Sequence, residues 1–255
     1  MIDTAVILCG GRGSRMGISK QAKSLCLVNG KPIIWYIIHR LYKAGFKNFI
    51  LPLGFLGNEI REHVEQSYQN LSCKFYFEDT GDDCAIGNRI FQIRRFLPAK
   101  KAFFLTNGDA LFDFDIEEMI LAHKEQNLFS TFVTVETFAK YGVFLTDKGT
   151  TIGFERDALI KNYVIKKGKK ILNGEVYSGM AVLNEEALDI VNLSTCDNFE
   201  AELYPKLISL YPSAVFRLSG FWYAIDTPKD LKSAEGAFKV PIENLITKLE
   251  YNDSV

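Results

Sequence analysis

The sequence predicts an α/β protein with a mixed, mostly parallel sheet, helices on both faces and a β-rich elaboration in the C-terminal half. Two observations support this fold class. In the first half, short apolar runs of strand length alternate with amphipathic segments of helix length. After about residue 129, the pattern changes to short segments of β-type composition. Strands that alternate with helices favour a parallel sheet, because each crossover helix packs on a face of the sheet.

The elements of the first half follow in regular order, beginning with a strand over Thr4–Leu8. A helix over 32–44 repeats apolar residues at helical spacing and ends at Gly45, a common helix terminator. Asp115 is expected to cap a helix that begins at Ile116. The other predicted elements are strands over 49–53, 73–77 and 102–106, and helices over 58–69 and 87–96. This order indicates a Rossmann-like sheet whose strand carboxyl ends share one edge.

The second half is predicted to contain more strands and fewer helices. The predicted strands are 130–137, 141–146, 151–155, 176–183, a strand around Phe216, and 222–225; the predicted helices are 186–191, 200–211 and 228–238. The lysine-rich stretch IKKGKKI (165–171) is typical of a solvent-exposed hairpin. No linker or repeat divides the chain, so we predict one domain over residues 1–255, with halves at 1–128 and 129–255.

The composition excludes several classes of protein. The 255 residues are 47% hydrophobic and 24% charged, with a net charge of −1, which gives no sign of nucleic-acid binding. No apolar stretch is long enough to span a membrane, and the N-terminus lacks the features of a signal peptide. Five dispersed cysteines and three isolated histidines favour reduced thiols over disulfides or a zinc site. We therefore expect a cytoplasmic protein, either a monomer or a homo-oligomer.

A glycine-rich turn follows the first predicted strand. In AVILCGGRGSRMG (5–17), the glycines expose backbone N–H groups that suit a phosphate. The dinucleotide fingerprint fails because its third glycine falls one position late, at Gly17, and the Walker pattern is absent. The turn and the residues after it carry four cations: Arg12, Arg15, Lys20 and Lys23. These residues alone leave open whether the turn binds a dinucleotide, a nucleoside triphosphate or neither.

Four segments, in order over nearly the whole chain, resemble the sugar-1-phosphate nucleotidyltransferase family. AVILCGGRGSRM, Lys23 and GKPIIWYIIHRLYKAGFKNFIL are similar to its N-terminal half, which opens with G-G-x-G-[ST]-R. DTGDDCAIGNRI (79–90) is similar to a segment characteristic of glucose-1-phosphate cytidylyltransferases. LTNGDALFDFDI (105–116) resembles the family's G-D metal motif, and FWYAIDTPKDL (221–231) resembles its closing W-x-x-x-D-T segment.

The resemblance implies the transfer of CMP from CTP to a phosphorylated small molecule, with release of pyrophosphate. It implies that Arg15 binds the triphosphate and that Lys23 lies on the α-phosphate. Asp109 and Asp226 would hold Mg²⁺, with Mn²⁺ as an alternative, provided that the apolar runs before them end at the same sheet edge. The nucleotide-binding positions that it implies are Leu8, Gly10, Gly11, Gly13, Ser14, Thr80, Gly81, Arg89 and Asn107.

The acceptor-binding half, 129–255, departs from the family pattern. Where the family has E-K-P, this chain reads FERDALI (154–160), so that Arg156 replaces the lysine that grips the acceptor phosphate. Where the family has N-G-G, VYSGMAVL (176–183) keeps Gly179 and places Tyr177 nearby. The acceptor therefore stays open between an unidentified sugar 1-phosphate and a phosphoglutamine-like compound of capsule or other surface-polysaccharide synthesis.

Two other functions compete with the enzyme hypothesis. A catalytically silent relative could bind nucleotide or a sugar phosphate and regulate a partner, but it would have no need of Arg15, Lys23, Asp109 and Asp226 together. A dinucleotide-dependent oxidoreductase is disfavoured by the broken glycine fingerprint.

Overall fold

A computed structural model describes residues 2–17, 21–139, 142–156 and 158–250. The α-helices are α1 (Ile33–Lys43), α2 (Gly57–Ser67), α3 (Ile86–Ile93), α4 (Ile116–Glu125), α5 (Phe199–Leu210), α6 (Pro228–Glu235) and α7 (Lys239–Glu250). The strands are β1 (Thr4–Leu8), β2 (Leu27–Val28), β3 (Lys31–Pro32), β4 (Asn48–Leu53), β5 (Lys74–Asp79), β6 (Ala102–Asn107), β7 (Ala110–Asp113), β8 (Ser130–Val135), β9 (Thr137–Phe138), β10 (Val143–Asp147), β11 (Thr150–Glu155), β12 (Leu159–Ile160), β13 (Tyr163–Lys167), β14 (Lys170–Gly174), β15 (Val176–Asn184), β16 (Ser213–Arg217) and β17 (Phe221–Ala224).

Seven of these strands form the central sheet, in the spatial order β16–β8–β15–β6–β1–β4–β5. The pairs β1–β4, β1–β6, β4–β5 and β8–β16 are parallel, whereas β15 is antiparallel to both β6 and β8. The prediction of a mixed, mostly parallel sheet is confirmed. Because β1, β4, β5 and β6 run in the same direction, their carboxyl ends lie at one edge.

The core is divided between the two faces of the sheet. Along β1, Ala5 and Ile7 belong to one buried cluster and Val6 to the other, as the alternation of side chains along a strand requires. The first cluster includes the apolar side of α1, and the second includes the apolar sides of α3 and α5. Helices therefore cover both faces, as predicted. None of the helices in the described ranges is long and apolar enough to cross a bilayer.

Several predicted boundaries need correction. The segment predicted as a helix over 186–191 forms a short 3₁₀ helix at Glu185–Asp189, because a second tight turn follows within four residues. The predicted strand 130–137 divides into β8 and β9, which pair with different strands. The sequence did not predict β7 or α7. The lysine-rich hairpin is confirmed as β13–β14, with nearly all of its side chains exposed.

One buried arginine joins the C-terminal segment to the sheet. The side chain of Arg40, on α1, is only 8% exposed, and its Nε donates to Oδ1 of Asp113 at 3.1 Å. Its Nη2 donates to the carbonyl of Phe114. Lys248, on α7, donates to both carboxylate oxygens of Asp113, at 2.6 and 2.7 Å. Asp113 therefore receives bonds from two helices at the end of β7.

Replacing Arg40 with alanine should lower the free energy of unfolding by about 3 kcal/mol, since it leaves a partly buried carboxylate and a buried carbonyl without their donor. Urea denaturation measures this change. Lys248→Ala is the matched control at the same carboxylate. Because Lys248 is 57% exposed, its loss should cost less than about 1 kcal/mol. Equal costs for the two variants would contradict the structural role given to Arg40.

Candidate active site

A cleft of about 490 Å³ opens at the carboxyl edge of the sheet, where β1 and β6 end side by side with Leu8 opposite Asn107. Five segments line the cleft: the turn after β1, the 3₁₀ turn that begins at Lys23, the loop before α3 with the first turns of α3, the end of β6 with the residues after it, and Asp226, two residues after β17. Its lining comprises Leu8, Cys9, Gly10, Gly11, Arg12, Gly13, Ser14, Arg15, Lys23, Ser24, Asp82, Asp83, Cys84, Ile86, Arg89, Asn107, Gly108, Asp109 and Asp226. Most of the predicted nucleotide and metal positions are therefore brought together.

The turn after β1 keeps its backbone open to the cleft. Gly13 has a φ of 58°, in the left-handed region, and precedes a 3₁₀ turn over Ser14–Met16. At Gly10, a Cβ atom would lie 2.1 Å from Nη1 of Arg89, so no larger residue fits without displacing that side chain. Met16, which is buried, anchors the turn to the core. The geometry suits the approach of an anion to the main chain.

Lys23 lies between two carboxylates that are distant in sequence. Its Nζ donates to Oδ2 of Asp109 at 2.7 Å and to Oδ1 of Asp226 at 2.8 Å. Nη1 of Arg15 lies 3.2 Å from the other carboxylate oxygen of Asp226. The lysine side chain is only 14% exposed, so these ion pairs are shielded from bulk water and are stronger than surface pairs. Two cations and two carboxylates meet at one point of the cleft.

Local strand pairing places the two aspartates. β17 pairs antiparallel with β7, with Ala224 opposite Ala110, and the backbone N–H of Ile225 donates to the carbonyl of Asp109 at 2.9 Å. The backbone N–H of Asp226 donates to Oδ2 of Asp230, whose carboxylate also completes the capping box of α6. The carboxylate of Asp226 is therefore not the helix cap, because Thr227 has that role.

The carboxylate pair suits an oxygen-seeking cation. The ammonium group of Lys23 already donates to one oxygen of each carboxylate, at 2.7 and 2.8 Å, which shows that both can face one positive charge. Within the described ranges, no group of three or more His, Cys, Asp or Glu side chains could hold a metal ion. Mg²⁺ commonly takes one or two carboxylates and completes its shell with substrate phosphates and water. The donor set fits such an ion.

The cleft also contains a cysteine that is not a nucleophile. Cys9 is buried, and burial, assisted by the charge of Asp109, raises the pKa of its thiol to about 12. At neutral pH the thiol is protonated. In the cleft lining, Cys9 packs as a small apolar residue.

Arg89 and Thr80, predicted to contact the nucleotide, are bonded to the protein itself. Arg89 donates from Nε to the carbonyl of Cys84 at 3.0 Å and from Nη1 to that of Leu53 at 3.1 Å. It also bonds the carbonyl of Asp82 and the hydroxyl of Thr80. The hydroxyl of Thr80 in turn donates to the carbonyl of Leu53 at 2.6 Å. These contacts assign Arg89 and Thr80 to the support of the 80–85 loop; Gly81, with a φ of 86°, forms its bend.

Gly179 supports the cleft through Asn107. Its φ is 85°, and a Cβ atom there would lie 2.4 Å from Nδ2 of Asn107. The glycine therefore leaves room for the amide at the end of β6, which does line the cleft. Gly179 itself is not part of the lining.

The two other predicted acceptor residues lie outside the cleft lining. The hydroxyl of Tyr177 lies 2.9 Å from that of Tyr204, and its ring packs against the second core cluster. Burial raises the pKa of Tyr177 well above its ordinary value. Arg156 is exposed just after β11 and makes no hydrogen bond or ion pair with the described part of the chain. Lys20 lies outside the described residues.

The sequence-based site omitted some residues of the cleft wall. Arg12, Asp82 and Asp83 line the cleft, although none of them was assigned a binding role. The sequence does place charged residues next to a glycine in both stretches, GGRG (10–13) and TGDD (80–83), and this could have pointed to them. That signal did not identify their partners, because the two stretches are about 70 residues apart.

The fold and the cleft define an α/β protein with a charged, glycine-lined cleft at the carboxyl edge of its sheet. Residues 4–237 match the Nucleotidyl transferase family, and the chain belongs to this family. A relative from Bacillus subtilis (strain 168), named "Probable glucose-1-phosphate cytidylyltransferase", is 29% identical over 248 residues, 89% of this chain and 92% of that protein. The glucose-1-phosphate cytidylyltransferase of Salmonella typhi is 26% identical and covers 92% of this chain and 95% of its own length.

A solved structure supports the fold independently. The inositol-1-phosphate CTP transferase from T. maritima has a TM-score of 0.68 with this chain at 17% identity, covering 98% of this chain and 97% of its own. The predicted resemblance to sugar-1-phosphate nucleotidyltransferases is confirmed, and the chain is a nucleotidyltransferase.

Arg89→Ala should destabilise the protein as well as weaken nucleotide binding. It removes a donor from the carbonyls of Cys84 and Asp82 and one of the donors to that of Leu53, so we expect a loss of about 2 kcal/mol in the free energy of unfolding. Thermal melting and hydrogen exchange of the 80–85 loop measure the effect. The matched control is Arg15→Ala, which removes a cleft arginine that is 68% exposed and should leave the melting temperature unchanged. An Arg89→Ala variant with normal stability would instead indicate a direct contact with the nucleotide.

Proposed function

We propose that this protein is a cytidylyltransferase that transfers CMP from CTP to a phosphorylated small molecule and releases pyrophosphate. The observation that carries the proposal is the convergence of Lys23, Asp109 and Asp226 beside the glycine turn. A transfer between two anionic substrates needs cations at the reacting phosphate and backbone N–H groups that can donate to phosphate oxygens. This cleft contains both features.

The triphosphate is assigned to the turn after β1. The backbone N–H groups of residues 10–13 can donate to its oxygens, and Arg15 is exposed enough to reach the β- and γ-phosphates. Leu8, Ser14 and Asn107 line the same space. We assign to Arg15 the further role of stabilising the charge on the pyrophosphate as it leaves.

Lys23 is the residue that we assign to the α-phosphate. An oxygen of the acceptor phosphate forms a bond to the α-phosphorus, and the bond from that phosphorus to the bridging oxygen breaks, leaving its electron pair on pyrophosphate. Negative charge accumulates on the α-phosphate oxygens during this exchange. An ammonium group that moves from the carboxylates to those oxygens stabilises the charge without any proton transfer.

Asp109 and Asp226 are proposed to hold Mg²⁺, or Mn²⁺ as an alternative. When bound there, the ion would neutralise phosphate charge and orient the triphosphate for displacement in line with the leaving group. Because the ion is divalent, it would balance the negative charges of both carboxylates after the ammonium group of Lys23 has moved to the α-phosphate. The chain's own contribution is to hold the two side chains together through the β7–β17 pair.

CTP is the proposed nucleotide because two kinds of evidence agree. The segment 79–90 resembles that of glucose-1-phosphate cytidylyltransferases, and two similar curated proteins carry that name. Cytosine and uracil differ at position 4, where one presents an amine and the other a carbonyl. Hydrogen-bond acceptors in the cleft that are placed for the amine lose their partner when uracil binds. The protein can therefore discriminate strongly between CTP and UTP.

The acceptor is proposed to be a sugar 1-phosphate or a phosphoglutamine-like compound, within the synthesis of capsule or another surface polysaccharide. The names of the relatives favour glucose 1-phosphate, whereas Arg156 and Tyr177 depart from the family pattern. Arg156 is exposed and unpaired with the described part of the chain, so its guanidinium is available to an acceptor phosphate. Because Tyr177 bonds Tyr204, we assign it to the support of this region.

Pyrophosphate release with a panel of nucleotides and acceptors tests the proposal. The wild type should release pyrophosphate with CTP at least about 100-fold faster than with UTP, when supplied with the correct acceptor and Mg²⁺. The acceptors to be compared are glucose 1-phosphate, inositol 1-phosphate and phosphoglutamine. Asp226→Asn serves as the folded, inactive control. Equal rates with CTP and UTP would contradict the cytidylyl assignment, and undiminished turnover by Asp226→Asn would contradict the metal site.

A further inference from the structure

One arginine side chain holds together two loops that line the cleft. Arg12 lies in the turn after β1, and its Nε donates to Oδ1 of Asp83 at 2.5 Å while its Nη2 donates to Oδ2 at 2.8 Å. The same Nη2 lies 3.4 Å from Oδ2 of Asp82. We refer to Arg12, Asp82 and Asp83 as the clasp. All three side chains line the cleft, so the clasp forms part of its wall.

An aromatic ring supports the guanidinium group of the clasp. The Cζ atom of Arg12 lies 5.3 Å from the centre of the Phe55 ring. Phe55 follows β4, the central-sheet strand that lies between β1 and β5, so the ring is tied to the same sheet as both loops. A two-pronged contact with a carboxylate and a ring beneath the guanidinium plane together restrict its orientation.

The clasp provides all of the hydrogen bonds and ion pairs between the two loops. Residues 9–13 and 80–85 are fully described, and no other hydrogen bond or ion pair connects these two stretches. Arg89, which lies beneath them, donates to Leu53 and to the 80–85 loop, and not to the turn. On the side that faces the protein interior, the two loops are close-packed around Gly10 and Gly54, where a Cβ atom at either glycine would clash. On the side that faces solvent, the contact between the two loops therefore depends on Arg12.

The bonds between Arg12 and Asp83 favour the charged form of both groups. The hydrogen bonds from Arg12 lower the pKa of Asp83 below its ordinary value, and the same bonds raise the pKa of Arg12. Both groups are exposed, with 46% of the Arg12 side chain and 78% of the Asp83 side chain accessible. Such pairs contribute little to the stability of a whole domain. A role in local order is therefore more in keeping with this position than a role in folding.

We propose that Arg12 is a positioning residue for nucleotide binding, which acts through Asp83 and Asp82 to hold the 80–85 loop in place as a wall of the cleft. The inference rests on the proposed function, because it assigns a nucleoside triphosphate to this cleft. A loop that is already in place costs the ligand no ordering free energy, whereas a loose loop must be ordered as the ligand binds.

A double-mutant cycle separates this role from a direct contact between Arg12 and the triphosphate. If the clasp positions the loop, Arg12→Ala and Asp83→Asn both weaken CTP binding, and the double variant is no weaker than either single variant. If Arg12 instead binds the triphosphate directly, Asp83 competes with the ligand. Asp83→Asn would then strengthen CTP binding, and the two substitutions would have opposite effects.

The measurement is the Kd of CTP by titration calorimetry, in Mg²⁺ and without acceptor, followed by steady-state kinetics. We expect each single variant to weaken CTP binding by about threefold to fivefold. The KM for CTP should rise in parallel, while the KM for the acceptor and the melting temperature stay unchanged. The matched control is Arg95→Ala, which removes an exposed arginine that also pairs with an acid, Glu78, and lies 4.7 Å from an aromatic ring centre. Arg95 is outside the cleft lining, so its loss should leave the Kd unchanged.

Three results would overturn the proposal: opposite effects of the two substitutions, additive effects in the double variant, or unchanged affinity in both single variants. A fall in melting temperature equal to that of a core substitution would assign Arg12 to folding and would also overturn it. If the wild type binds another triphosphate instead of CTP, only the proposed function fails, and the cycle is carried out with that nucleotide. A wild type that binds no triphosphate would overturn both.

Discussion

The site depends on the ion pairs from Lys23 to Asp109 and Asp226. Two carboxylates at one point of a partly shielded cleft repel each other; the ammonium group of Lys23 donates to both, at 2.7 and 2.8 Å, and Arg15 adds a second positive charge beside Asp226. The constraint extends into the fold. β7 must pair with β17 to bring together residues that are 117 positions apart, since Asp109 directly precedes β7 and Asp226 lies two residues after β17, at the same end of that pair. Arg40 and Lys248 fix the far end of β7 through Asp113.

Among the described residues, every charged side chain that lines the cleft already has a protein partner. Lys23 and Arg15 share Asp226, Arg12 bonds Asp83, and Arg89 bonds carbonyl groups. A triphosphate must therefore exchange partners with some of these groups when it binds. The exposed pairs can exchange at low cost, whereas the buried bonds of Arg89 cannot. This difference explains why we assign a ligand contact to the exposed Arg15, and assign support of the walls to Arg89.

Local patterns predicted most of the fold. The alternation of apolar runs with helical spacing located β1, α1 and β4 within one or two residues, and Asp115 caps α4 as expected, accepting from the N–H of Glu118 at 2.7 Å. β7 and β17 have four residues each. β7, which was not predicted, is too short to show a period in the sequence. Its place comes from pairing with a distant partner.

The sequence predicted which residues share the cleft better than it predicted the hydrogen-bond partner of each one. The glycine turn and the two aspartates are in the cleft because strand ends determine their position. The partners of Arg89, Tyr177 and Arg12 depend on which loop lies within reach of a long side chain, and this is a property of the folded chain. No local pattern in the sequence predicts the hydrogen bond between Tyr177 and Tyr204 or the one between Arg12 and Asp83.

A crystal structure of the protein with Mn²⁺ and a non-hydrolysable CTP analogue will show whether Lys23 exchanges its carboxylate partners for the nucleotide. We expect anomalous density for Mn²⁺ between the carboxylates of Asp109 and Asp226, with the ammonium group of Lys23 moved from those carboxylates to the α-phosphate. The triphosphate should lie along the backbone of residues 10–13. A complex in which Lys23 still bridges the two aspartates, with the nucleotide bound elsewhere, would contradict this expectation.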